Sequence, residues 1–181
     1  MPNSVEEVNN TVRPLFEKNV EYVKQFLQGR GIDMGCGSCP LLKPTCIYYV
    51  DMSPQPLCEE QISPGSIFMN THFENLNFFS EFNFVFSSHA LEDLDSEEDI
   101  RGCLIKWTEF LVSGGYIVLL LPDVEGGRYP EVEDGGNISH KVKMGFNFMR
   151  NIVKEIPDLE IVQHSTIPWT SETFDMVLRK I

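Results

Sequence analysis

The run Tyr116-Ile117-Val118-Leu119-Leu120-Leu121 is the longest uninterrupted apolar stretch in the chain. It is far short of the ~20 residues that a membrane-spanning helix needs. No polar residue alternates through it, so a strand formed here needs cover on both faces, and such strands belong to parallel sheets flanked by helices. The flanking sequence agrees. Ser96–Leu111 has an N-cap serine, acids in its first turn, and apolar Ile100, Cys103, Leu104, Trp107 and Leu111 on one helical face. Gly114-Gly115 is read as its stop.

The same alternation runs through the rest of the chain. Apolar positions from Val5 to Leu27 have helical spacing, with Pro14 kinking the helix or opening a second one. Strands are expected at Gly31–Met34, Cys46–Met52, Ser66–Asn70 and Asn83–Ser87. A short helix is expected around Pro56–Gln61 and a longer one in 141–155. Leu159–Ile167 and Phe174–Ile181 read as a terminal hairpin joined by a Pro-Trp-Thr-Ser turn. Strands alternating with helices give an α/β domain with a mostly parallel sheet and right-handed crossovers; the hairpin adds an antiparallel edge strand. Ligands of such sheets sit beyond the carboxyl ends of the strands.

With 181 residues and 42% hydrophobic content, one domain with a real core is expected. Lys and Arg number 14 against 27 Asp and Glu, a net charge of −13. That balance argues against a nucleic-acid partner, which requires a basic face, and against an anionic membrane surface. The start, MPNSVEEVNN, has no apolar leader, and five cysteines is an odd count. Without a secretory context the cysteines read as reduced thiols in a cytoplasm.

Four segments carry chemistry. Asp33-Met34-Gly35-Cys36-Gly37-Ser38-Cys39 follows the first strand, and its glycines let backbone approach a ligand that a Cβ would block. An acid two residues before the first glycine suits a cationic amine rather than a phosphate. The dinucleotide fingerprint fails because Pro40 holds its third glycine position, and no phosphate-loop lysine is present. Asp51 ends the second strand, where a carboxylate can accept both ribose hydroxyls. Phe82–Leu94 runs a buried strand into Ser87, Ser88, His89, Glu92 and Asp93. Leu111–Asp123 is the fourth segment.

Taken in order, these segments resemble the class I S-adenosylmethionine-dependent methyltransferases, in particular the small type 11-like domain. Residues 33–39 match E/D-x-G-x-G-x-G except at Cys39. Residues 82–94 resemble F-D-x-V-x-S-x-x-x-L-E-H-L with Asn83 and Asp93 substituted. Leu111–Ile117 resembles L-x-P-G-G-x-L/I with Ser113 for proline, and Thr71–Phe78 aligns loosely with G-D-A-E-D-L-P-F. The resemblance covers about residues 30–122 and implies a single-domain Rossmann-like methyltransferase fold. It implies helices on both faces and S-adenosyl-L-methionine as cofactor, while the short spacing Ser38–Thr45 and the short stretch between strands three and four predict reduced crossover helices. Asp33, Gly35, Cys36 and Gly37 would hold the methionine moiety, Asp51 the ribose, and Met52 would pack on adenine. His72 and Phe73 would flank the adenine. Ser87 and Ser88 would lie under the sulfonium, with His89 toward the acceptor.

The loop 123–145 is long and glycine-rich, and it follows the fifth strand. Its R-Y-P and G-x-N-x-x-H-K pieces are similar to small methyltransferases associated with surface-saccharide genes. His140 is a candidate base beside His89, and Arg128 and Tyr129 are candidate acceptor contacts. The expected division is residues 1–28 as a helical lid, 29–122 as the cofactor core, 123–145 as the acceptor loop, and 146–181 as a helix with the closing hairpin. Acids from Glu92 to Asp99 read as a solvated helix start that, with Asp123 to Asp134, rims the ligand edge in negative charge. That favours a small neutral or cationic acceptor, with a saccharide among the candidates. Three rival readings stand beside it. One is a thioredoxin-like C-x-x-C at Cys36 and Cys39, a second is a zinc site, and the third is a methyltransferase-like scaffold without turnover. No metal site and no oligomeric state are assigned from sequence.

Overall fold

The computed structural model describes residues 13–37, 40–42, 46–52, 65–167 and 172–181. The expected Pro56–Gln61 helix, Cys39 and the 168–171 turn lie outside the described residues. Seven strands form one sheet: β1 (Gly31–Met34), β2 (Cys46–Asp51), β3 (Ile67–Asn70), β4 (Phe82–Ser88), β5 (Leu111–Pro122), β6 (Leu159–Thr166) and β7 (Thr173–Lys180). Their spatial order is β3-β2-β1-β4-β5-β7-β6. The first five strands pair in parallel, and β7 runs antiparallel to both β5 and β6. The strand at the sheet edge is therefore β6; β7 fills the gap between it and β5.

Among the described residues, three helices cover the sheet: α1 (Arg13–Val23), α2 (Glu97–Phe110) and α3 (Phe146–Lys154). The alternation of side chains across β5 separates two cores. Ile117, Leu119 and Leu121 pack with Ile100, Leu104 and Trp107 of α2 and Met149 and Ile152 of α3. Val118 and Leu120 point the other way, into a smaller cluster with Val23 and Leu27. The two-sided apolar run of the sequence is thus buried on both faces, as such a run requires.

The α2 helix starts where the sequence places it, with the Ser96 hydroxyl accepting the Asp99 N–H at 3.2 Å and acids in the first turn. It does not end at the glycines. It stops at Phe110 and passes directly into β5, and Gly114-Gly115 lies inside a β-bulge. The β4–β5 register jumps from Phe82↔Leu111 to Phe84↔Tyr116. Gly114 has φ +77°, and a Cβ on Gly115 would stand 3.0 Å from the carbonyl oxygens of Asn83 and Val112. Between β3 and β4 only a single 3-10 turn forms, at Phe73–Asn75, so that crossover is short.

The loop after β5 is tied at both ends. Glu125 accepts the Asn147 N–H at 2.9 Å and the Phe148 N–H at 3.3 Å, so a loop carboxylate caps the start of α3. Glu125 N–H donates to the Met144 carbonyl at 2.9 Å.

Candidate functional site

β1 is four buried residues followed by the left-handed Gly35 and Gly37, at φ +72° and +62°. The turn is pinned to β2, because the N–H groups of Gly35 and Cys36 both donate to the Val50 carbonyl, at 2.8 and 3.2 Å. A Cβ on Gly35 would stand 2.4 Å from that of Ala90, so glycine is the residue that lets the β1 and β4 loops meet. The N–H of Gly37 donates to Oδ2 of Asp51 at 2.7 Å.

A cavity of about 320 Å³ opens beside this turn, large enough for a small-molecule ligand. Gly35, Gly37, Asp51, Met52, His72, Phe73 and His89 line it. Parallel strands bring these residues together because β1, β2, β3 and β4 all end at this edge. The His72 and Phe73 rings lie 4.3 Å apart, and Met52 is well exposed at 64%. Four of the residues named from the sequence for the cofactor do not line the cavity. Asp33, Cys36 and Ser87 are buried behind it, and Ser88 is half-buried. The cavity has a wall the sequence did not point to, made by Cys103 and Trp107 of α2. Their helical spacing marks a core face, and the same face forms both core and cavity.

The Asp33 carboxylate is 2% exposed and its Oδ2 has no hydrogen-bond partner. Burial, then repulsion from Asp51, pushes its pKa up to about 8. Burial first, then the charges of Asp33 and Asp51, hold the Cys36 thiol far above its usual range, and the thiol is not in a disulfide. A nucleophilic thiolate needs the opposite surroundings, which removes the physical basis of the redox reading at Cys36.

On the acceptor side, His89 ends β4 in a left-handed conformation, φ 51°, with its N–H bonded to the Leu120 carbonyl at 2.9 Å. Its Nε2 lies 3.3 Å from the Thr173 hydroxyl and its Nδ1 lies 3.2 Å from Oε1 of Glu92. The His140 Nε2 lies 3.5 Å from the same oxygen. Glu92 is therefore not part of a solvated helix start. It is 0% exposed, turned inward by the 3-10 turn Leu91–Asp93. Its carbonyl accepts the N–H groups of Lys141 and Val142, at 2.8 and 3.3 Å, which docks the loop onto this turn. The Tyr129 ring centroid is 5.0 Å from that of His140 and 6.4 Å from that of His89. Burial first, and then the Glu92 charge, raise the Tyr129 phenol.

His140 lines a second cavity of about 170 Å³, with Glu131 and Lys143, rather than the larger one. Arg128 is drawn back toward Asp123, with Nε 3.4 Å from Oδ2. Asp123 also accepts the Gly126 N–H on its carboxylate and the N–H groups of Arg128 and Tyr129 on its carbonyl, each at 3.0 Å. Among the described residues, no helix is long and apolar enough to cross a membrane.

Comparison with known proteins agrees with this architecture. Residues 32–119 match the protein-family model described as "Methyltransferase domain". No curated protein sequence matches the chain. Among solved structures, the N-methyltransferase NodS from Bradyrhizobium japonicum WM9 is similar in fold. Its TM-score is 0.69 at 15% identity, over 96% of this chain and 98% of that one. Its complex with S-adenosyl-L-homocysteine gives a TM-score of 0.68 at 16% identity, over 96% and 90%. A S-adenosylmethionine-dependent methyltransferase from Archaeoglobus fulgidus gives 0.70 at 15% identity, over 93% and 94%. A Haloferax volcanii complex of the Trm112 methyltransferase activator with a putative methyltransferase gives 0.68 at 14% identity, over 96% and 95%. Residues 32–119 thus carry a methyltransferase domain, and the seven-stranded sheet around them has the fold of the S-adenosylmethionine-dependent methyltransferases.

Proposed function

We propose that the chain transfers the methyl group of S-adenosylmethionine to a small neutral or cationic acceptor, with a saccharide hydroxyl or an amine as the candidates. The observation that carries this reading is the pairing of Asp51 with the Gly37 N–H at the mouth of the 320 Å³ cavity, above the buried Asp33. The residues suit the cofactor. A ribose wants a carboxylate acceptor at the end of β2, and an amino-acid ammonium wants a carboxylate whose own oxygen has no partner. A turn without side chains at Gly35 and Gly37 leaves room for the chain between them. Met52, His72 and Phe73 offer apolar and aromatic surface for the adenine. Ser87 and Ser88, behind the cavity wall, are proposed for the sulfonium side.

Bound there, S-adenosylmethionine supplies an electrophilic methyl carbon. The protein has to align the acceptor with it and keep water away. An amine acceptor has to be deprotonated before attack, and a hydroxyl acceptor needs a base in reach, for which His89 and His140 are the candidates. Tyr129 and Arg128 belong to the loop that would meet the acceptor. On this reading residues 29–122 bind the cofactor, 1–28 serve as a helical lid, 123–145 gate the acceptor, and 146–181 supply a helix and the closing hairpin. The N-methyltransferase among the solved structures supports an amine acceptor, and the 27 acidic residues against 14 basic ones disfavour an anionic one.

The test is a calorimetric titration with S-adenosylhomocysteine, followed by transfer of a labelled methyl group to panels of small amines and saccharides. Absence of binding would end the proposal. Binding with no transfer to any acceptor would favour the scaffold reading.

A further inference from the structure

Glu92 is a fully buried carboxylate with no hydrogen-bond partner on either oxygen, and it faces two histidines. Among the described residues no lysine or arginine pairs with it, and Lys141, the next cation along, is engaged with Asp95 at 2.6 Å. Burying a carboxylate without partners costs several kcal/mol. The site therefore calls for N–H groups at both imidazole nitrogens that point at Oε1.

We propose that Glu92 is a positioning residue that divides the roles of the two histidines. It holds His89 as the proton acceptor of methyl transfer and uses His140 as a supporting donor. This rests on the methyltransferase reading above. An ionised carboxylate accepts only. With Glu92 at 3.2 Å, Nδ1 of His89 carries the proton and Nε2 is left with its lone pair. The Thr173 hydroxyl, 3.3 Å from Nε2, then donates to it in the resting protein. His140 presents Nε2 to the same oxygen and carries its proton there. The nitrogen that a tautomer leaves bare is the one that can take a proton, so the carboxylate selects which atom of each ring is basic.

Position separates the two rings. His89 lines the cavity that holds Gly35, Gly37 and Asp51, whereas His140 lines the other cavity. Of these two rings, His89 is the one with access to the cofactor side. In the reaction, the acceptor O–H or N–H proton passes to Nε2 of His89 as the acceptor atom takes the methyl group. The sulfonium becomes a neutral thioether, and the positive charge moves onto an imidazolium faced by Glu92. Atoms and charge balance without another reactant.

The chain has four histidines, which makes the test direct. In ¹⁵N-labelled protein at neutral pH, long-range ¹H–¹⁵N correlations distinguish the two tautomers of each ring. The expected result is a proton on Nδ1 and a bare Nε2 for His89, and a proton on Nε2 for His140. In Glu92→Gln the Nε2–H form of His89 should become populated, while His72 and His164 keep their wild-type patterns. Wild-type His89 carrying its proton on Nε2 would overturn the proposal, as would a His89 pattern unmoved by Glu92→Gln. The wild-type spectrum decides the matter even if the variant fails to fold. Titration of the wild-type protein with S-adenosylhomocysteine tests the cofactor assignment by itself, which separates failure here from failure of that assignment.

Discussion

The Gly37 N–H and the Asp51 carboxylate meet at 2.7 Å across the mouth of the cavity, joining the β1 turn to the end of β2. One carboxylate oxygen thus fixes the turn, and the carboxylate still lines the space where a ribose would sit. Asp51→Ala should weaken S-adenosylhomocysteine binding by about 1.5–3 kcal/mol, the range for hydrogen bonds to charged groups. Calorimetry giving equal affinities for the variant and the parent would remove Asp51 from the ribose site.

Two glycines two residues apart should respond differently to alanine. Gly35 is left-handed and its added Cβ would strike Ala90 at 2.4 Å, whereas Gly37 is left-handed with nothing within 4 Å. Gly37→Ala should cost about 1–2 kcal/mol, the left-handed penalty alone. Gly35→Ala should cost that plus the clash, by a further ~1–3 kcal/mol. Urea denaturation of both variants checks the order, and equal losses would show that the approach of Ala90 has no energetic weight.

Asp33 should make the protein less stable as pH rises. Its folded pKa of about 8 lies above the ordinary 3.8, so between about pH 4 and 8 the native state holds a proton that the unfolded chain has released. Stability from this group is complete below pH 4 and is lost as pH climbs toward 8. Asp33→Asn should flatten that slope in denaturation series across the window. A ligand ammonium seated against Asp33 favours the ionised form, so S-adenosylhomocysteine binding at pH 7 should release protons from this carboxyl. Apparent binding enthalpies that do not vary with the ionisation enthalpy of the buffer would contradict this.

Cys36 and Cys103 are both buried, and burial drives both thiols upward. Neither should be alkylated in the folded protein at neutral pH, and both should react after denaturation. Peptide mapping after pulse labelling reads this out. Rapid labelling of Cys36 in the folded chain would restore the redox reading.

The sequence made the strand ends legible where a short apolar run meets a glycine or an acid, as at Gly31–Met34 and at Asp51. It carried less where one residue type serves two structures. Gly114-Gly115 reads as a helix stop, yet the bulge against Asn83 is what needs it. Glu92 stands among exposed acids, and a three-residue 3-10 turn has no periodicity to show that one of them turns inward. The hairpin is visible in the sequence, but which of its strands pairs with β5 depends on the twist and pairing of β5, which local pattern does not encode. Trp107 and Cys103 were legible as core. Their second face toward the cavity follows only from where α2 lands.

Glu125 gives the loop after β5 a mechanical character that its glycines conceal. Its carboxylate holds the first N–H groups of α3, so swinging the loop outward uncaps a helix, at about 1 kcal/mol. Phe146, in the first turn of that helix, stacks at 3.5 Å on His164 of β6. The loop that carries Tyr129 and His140 is therefore joined through this cap to α3, and α3 through Phe146 to the far edge of the sheet.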